Sequence, residues 1–193
     1  MVKKIVLEGA QVLRDNAEAV KPSDIKAGQY KGLIGDMWQA LDKCGDGVAL
    51  AAPQIGKSVR VFIVSPKIFR QTESGEWQAD RKNKALDNPL SDISSPLSDH
   101  PPLVYFNPVI KKLSKSLKKM DEGCLSVNGL YGKVPRSTKA TIEAYDEYGM
   151  KFTRGASDLL AQIFQHEVDH LDGILYIDKA SELNKLESRK TDV

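Results

Sequence analysis

Ser157-Asp-Leu-Leu-Ala-Gln-Ile-Phe-Gln-His-Glu-Val-Asp-His-Leu-Asp-Gly173 is the stretch around which the rest of the chain has to fold. Ser157 and Asp158 read as an N-cap and a first-turn acid, and Gly173 as the left-handed residue that ends a helix. A helix is therefore predicted from about Asp158 to Leu171. His166 and His170 are four residues apart and project from one face of it. Two imidazoles at that spacing can bind one metal ion, with Glu167 beside its open position. The chain has three histidines, and two of them fall here. The plain alternative is a charged, solvated length of helix that carries the pattern by chance.

Two imidazoles alone make a poor site, so a third donor must come from elsewhere. Cys124, in Glu122-Gly-Cys-Leu-Ser126, follows a glycine that lets the backbone approach closely. A thiolate beside a metal binds strongly, whereas the commoner fate of a lone cysteine is a buried apolar thiol. That apolar fate is expected for Cys44, at a helix end beside no evident partner. His100, the spare imidazole, stands in a polar stretch.

Outward from the motif, Asp24 to about Cys44 reads as one helix, capped by Ser23 or Asp24, with Ile25, Leu33, Met37 and Leu41 at roughly helical spacing. Val59 to Val64 is a β-branched run and reads as a buried strand. Further strands are expected at Val104 to Phe106, Val109 to Leu113, Thr138 to Tyr145 and Lys151 to Thr153. Asp146-Glu-Tyr-Gly149 supplies the turn between the last two. Ser181 to Arg189 reads as a second helix. Gln71 to Pro102, rich in Ser, Asp, Asn and Pro, is expected to be a long surface loop. The fold class is α+β: mixed or antiparallel strands packed around a central metal-binding helix, in one domain over residues 1–193.

The 193 residues are 41% hydrophobic and 28% charged, an ordinary globular composition. The net charge of +2, from 28 Lys plus Arg against 26 Asp plus Glu, gives no reason to expect direct binding of nucleic acid or an anionic membrane. No apolar run approaches the ~20 residues that span a bilayer. Glu8 interrupts the apolar start where a signal peptide would continue, so a reducing cytoplasmic compartment is expected. Two cysteines form one disulfide at most.

Gly47-Val-Ala-Leu-Ala-Ala-Pro-Gln54, Glu122-Gly-Cys-Leu-Ser126 and Gln165-His-Glu-Val-Asp-His170 stand in the order of the three motifs of peptide deformylases, which the chain resembles. Val12-Leu-Arg14, Val134-Pro-Arg136 and Leu171 to Asp178 extend the likeness to nearly the whole chain outside Gln71 to Pro102. The resemblance implies hydrolytic removal of the formyl group from the N-terminal formylmethionine of new polypeptides, releasing formate. Formylmethionyl nascent chains would be the partners, with transient ribosome association. It also implies a metal on Cys124, His166 and His170, with Glu167 as general base and then acid. The Gln54 amide and the Leu125 N–H would steady the developing oxyanion. Without the resemblance, Gln54 reads as a turn residue bonding its own backbone.

Val48 and Ala49 fall where the family meets its substrate, and Arg136 resembles the arginine that meets the substrate backbone; a solvated surface charge is the alternative for Arg136. Leu159 and Ile163, two turns and one turn before His166, would wall the methionine pocket or simply serve as core. Two imidazoles, one thiolate and an open position read as catalytic zinc from donor types alone. The resemblance implies Fe2+ as the most active metal, with Zn2+, Ni2+ or Co2+ able to take its place. Two departures stand out: Ala49 replaces a glycine, and Gln162 stands where the family often carries an apolar residue. They keep open a diverged deformylase with altered substrate, beside two rivals, a zinc endopeptidase and a structural metal module.

Overall fold

In the computed structural model, which describes residues 3–45, 47–68 and 103–185, the alternation within Val61-Phe-Ile-Val64 sets the layers of the fold. This strand, β2 (Val61–Val64), is buried on both faces. Phe62 and Val64 join a core that includes the motif helix, α3 (Asp158–Leu171). Val61 and Ile63 point the other way, into a core with Met37, Ala40 and Leu41 of α2 (Lys31–Lys43). A short helix, α1 (Pro22–Lys26), precedes α2. β2 pairs antiparallel with β1 (Ala49–Ala51) and with β3 (Leu103–Leu113). β6 (Lys139–Tyr145) and β7 (Lys151–Ser157) complete a five-stranded sheet of order β1-β2-β3-β6-β7. A second sheet has the order β4-β5-β8, from β4 (Leu117–Cys124), β5 (Val127–Ser137) and β8 (Ser181–Lys185).

α3 has the predicted bounds and is held by two different faces. Leu160, Ala161, Phe164, Val168 and Leu171 pack on the five-stranded sheet. There Phe164 meets Tyr105 edge-on at 5.2 Å, and Tyr105 stacks on Phe62 at 4.6 Å. The buried Gln165 amide exchanges two 3.0 Å bonds with the Ser137 backbone, clipping the helix to β5. Ser157 stands at the N-cap, but its side chain makes no cap bond; Asp158 N–H donates to Thr138 C=O instead, so the link between β5 and β6 fixes where the helix begins. At the other end Gly173 (φ +72°) closes the helix, with Ile174 N–H on Asp169 C=O at 2.9 Å.

Several expectations are corrected. The single helix from Asp24 to Cys44 is two, broken where Gly28 turns left-handed (φ +72°). Its first part is capped at Lys21 with Pro22 at the first turn, not at Ser23 or Asp24. Val104–Phe106 and Val109–Leu113 are one strand with a register shift at Asn107, whose left-handed backbone and side-chain bonds to Val20 N–H and C=O make the bulge. The helix expected at Ser181 is strand β8 as far as Lys185, paired with β5; the expected remainder, and Gln71 to Pro102, lie outside the described residues. β8 is exposed throughout, so no apolar period marks it.

Gly173→Ala is expected to lower unfolding stability by about 1–3 kcal/mol, since its Cβ would meet the Arg14 carbonyl on left-handed backbone. Gly35→Ala, in α2 with open space around its Cβ, is expected to raise it by about 0.5–1 kcal/mol. Urea unfolding of the two variants beside the parent tests both signs; equal effects would sink the account of the helix end.

Candidate metal centre

Cys124 ends β4, and a two-residue turn at Leu125-Ser126 leads straight into β5. That turn brings the thiol to the histidines of α3. The donor atoms of Cys124, His166 and His170 lie within 4.8 Å of one another, and Sγ is 3.2 Å from His170 Nε2. One thiolate and two imidazoles converging so closely suit a late first-row divalent cation. They are the only His, Cys, Asp or Glu cluster of that kind among the described residues.

Two of the three donors are oriented by neighbours. His166 Nδ1 meets Glu122 Oε2 at 3.0 Å, which leaves its other ring nitrogen to the cluster. The Cys124 sulfur receives Ser126 N–H at 3.4 Å and the Gln54 amide at 3.5 Å. Gln54 is itself pinned: its Oε1 accepts Ala51 N–H at 2.8 Å, and its Nε2 also reaches Ser126 Oγ. The Oε1 end makes the local turn bond expected of Gln54, and the Nε2 end stands beside the Cys124 sulfur. The Leu125 N–H takes up no hydrogen bond among the described residues.

Glu122 and Arg136 were not expected to act together, yet they organise the site. Arg136 Nε and Nη2 grip the two Glu122 oxygens at 2.7 and 2.9 Å, and Nη1 reaches Asp169 at 2.7 Å. Lys179 pairs with the other Asp169 oxygen at 2.6 Å. Burial alone would push Glu122 up, but the bonds from Arg136 and His166 outweigh it and hold the carboxyl at about 2. Arg136 is 3% exposed and spends its guanidinium on these acids, so it is not a solvated surface charge, and it stands outside the cleft lining. Sequence reasoning missed this because Glu122 and Arg136 are brought together by the β4–β5 pairing, which no local period announced.

Glu167 is 4% exposed, and its Oε2 has no hydrogen-bond partner. Burial, partly offset by His166, raises its carboxyl to about 7. Burial and the neighbouring His166 keep His170 well below the usual histidine range, while for His166 the bonds to Cys124 and Glu122 outweigh burial and hold it well above.

A cleft of about 700 Å³ opens over these groups. Val48, Ala49, Leu125, Leu159 and Ile163 all line it. So does Cys44, which is half-buried rather than packed away. Left-handed non-glycine residues among those described are Asn107, Asp158 and Glu182, so Ala49 carries its methyl on ordinary strand backbone. Gln162 also lines the cleft, with its amide turned to β4.

The sequence model of the polypeptide deformylase family matches residues 2–186. A peptide deformylase of Fusobacterium nucleatum is 35% identical over 185 residues, covering 96% of this chain and 87% of the relative. Among solved structures, a peptide deformylase from Legionella pneumophila is 32% identical, with a TM-score of 0.69 over 94% of this chain and 87% of the other. A class I type b peptide deformylase from Acinetobacter baumannii, solved with Met-Ala-Ser bound, is 25% identical, with a TM-score of 0.72 over 93% of this chain and 98% of the other.

Replacing Arg136 by Met takes the guanidinium from the buried Glu122 and leaves Asp169 to Lys179 alone. It is expected to cost about 3–5 kcal/mol in urea unfolding. A loss below about 1 kcal/mol would show that solvent reaches the pair and that the guanidinium orients nothing.

Proposed function

Because the chain belongs to the polypeptide deformylase family, we propose that its buried Glu167, beside the Cys124–His166–His170 cluster, carries the proton transfers of formyl-group removal. The protein is a peptide deformylase, a hydrolase that takes the N-formyl group from newly synthesised polypeptides. We read residues 1–193 as one catalytic domain, which the family match over 2–186 supports.

The observation that carries the reading is the Glu167 carboxyl, buried, unpartnered at Oε2 and titrating near neutrality. Hydrolysis of a formamide needs a base to take a proton from water and an acid to return one to the leaving nitrogen. A carboxyl poised near 7 can do both in turn. The C–N bond then breaks, giving formate and a free amine. A divalent cation on Cys124, His166 and His170 would supply Lewis acidity at the formyl oxygen and make water a better nucleophile at neutral pH. Gln54 Nε2 and the unengaged Leu125 N–H flank Cys124 and would donate to the oxyanion as charge gathers on it.

β1 is the edge of its sheet. Ala51 N–H points away from β2 to Gln54, and backbone alternation sends Ala49 N–H the same way, toward the cleft. An extended substrate backbone would add along that edge, with its methionine side chain between Val48, Leu159 and Ile163. The tripeptide bound by the Acinetobacter baumannii relative supports a cleft of this kind. The ligand-bearing residues suit several metals, and Fe2+ is our choice, with Zn2+, Ni2+ or Co2+ as substitutes. A cytoplasmic setting and transient contact with the ribosome complete the proposal, on the ground of the substrate alone. Among the described residues no helix is long and apolar enough to cross a membrane.

Glu167→Gln is expected to lower kcat for formate release from a formylmethionyl peptide by about 10²–10⁴-fold, with metal content unchanged. A loss under tenfold would remove Glu167 from the proton transfers. Protein loaded anaerobically with Fe2+ is expected to exceed the zinc form in the same assay; equal or better zinc activity would reverse the metal assignment.

A further inference from the structure

Gln162 belongs to the cleft and to the metal-ligand support at once. Its amide Nε2 donates to Asp121 C=O at 3.0 Å and to Glu122 Oε1 at 3.3 Å. Among the described residues lining the cleft, His166 is the other one that bonds the Glu122 carboxylate. A carboxylate has about four acceptor positions, and here four donors fill them. Arg136 Nε and Gln162 take Oε1, while Arg136 Nη2 and His166 take Oε2. Gln162 and His166 reach it from the same face of α3, one turn apart, so they brace the carboxylate plane from its two ends.

We propose that Gln162 is a positioning residue: it locks Glu122, and through Glu122 the imidazole of His166, while its bond to the Asp121 backbone ties β4 to α3 across the substrate pocket. Without it Oε1 keeps Arg136 alone, and the carboxylate can tilt about that pair, taking the His166 ring off its line to Cys124 and His170. An apolar side chain of the same length would wall the pocket equally well but would brace nothing. The polar residue at this position thus tunes the metal site, with little bearing on which side chain the pocket accepts.

The inference rests on the metal reading above, and its test separates the two. Gln162→Met keeps length and volume but donates nothing; Gln162→Glu keeps shape and sets a second carboxylate against Glu122. Parent and variants are loaded with Co2+. The d–d absorption and the rate of stripping by a chelator are followed, beside kcat and KM for a formylmethionyl peptide. The expected result is a shifted cobalt spectrum and stripping about 10-fold faster or more, in the order Glu, Met, parent, with kcat falling while KM stays within twofold. A parent cobalt spectrum and stripping rate in both variants, with only KM changed, would overturn the proposal and leave Gln162 a pocket wall. A parent that takes up no cobalt would overturn both readings. Circular dichroism melts of the metal-free proteins distinguish a shifted ligand from a damaged fold: a melt that drops in proportion to the stripping rate would also count against positioning.

Discussion

The Glu122 carboxylate, buried against Arg136 and fully hydrogen-bonded, is the point to which the parts of the site refer. It joins β4 to β5 through the guanidinium, and β4 to α3 through His166 and Gln162. Arg136 passes the tie on to Asp169, and Asp169 to Lys179 beyond the helix. Two acids thus face two bases, so the buried charge is balanced before His166 is counted. Such a cluster is not a cheap source of stability. Desolvating each ion costs several kcal/mol, and apolar replacements of matching volume are often as stable or better. What an apolar replacement cannot do is fix the plane of an imidazole. The cluster is therefore better understood as an orienting device that the core must support.

That support comes from the division of α3 into two faces. Phe164, with Phe62 and Tyr105, buries large rings on the sheet side, where dispersion and apolar transfer supply the stabilisation. The opposite face is free to carry imidazoles, a carboxyl and an amide, none of which helps folding much. A helix one residue out of register would put Phe164 in the cleft and His166 in the core. The bond from Asp158 N–H to Thr138 and the left-handed closure at Gly173 prevent that slip from either end.

How far the sequence foretells this depends on how local each signal is. The bounds of α3, its cap and stop, and the pairing of His166 with His170 on one face all follow from residues within five turns of chain. The turn at Asp146 and the strands around it are similarly local. The β4–β5 hairpin is not: β4 is mostly exposed, β5 carries two glycines and a proline, and neither shows a clean apolar alternation. The ion pairs of Arg136 were accordingly not legible, since its partners sit 14 residues back on the neighbouring strand and 33 residues on in the helix. β8 was misread for the same kind of reason. Ser181 to Lys185 has no buried side, and what makes it a strand is the open flank of β5, where Gly132 leaves room for Ala180 and Leu183. Cys124, by contrast, was legible as a donor only through its company in the three ordered motifs. Nothing in the distance between Cys124 and His166 along the chain implies their meeting.

Among the described residues, the buried side-chain polar atoms without a partner are Glu167 Oε2 and His170 Nδ1. An unsatisfied buried polar group costs about 1–3 kcal/mol, and folded proteins tolerate few. Elsewhere this chain is careful: Gln165, Ser137, Arg136 and Asp169 are all buried and all bonded. Two orphans three residues apart, both in the metal-ligand motif of one helix, are therefore not a scatter of packing errors. For Glu167 the cost has a direct consequence. A carboxyl that found a donor at Oε2 would be more stable ionised and would hold its charge too firmly to return a proton to an amine. Leaving that oxygen bare keeps the acid and base forms close in free energy near neutral pH. The destabilisation is confined to the group that uses it, and the rigid network on Glu122 is what allows the neighbouring ligands to stay in place around it.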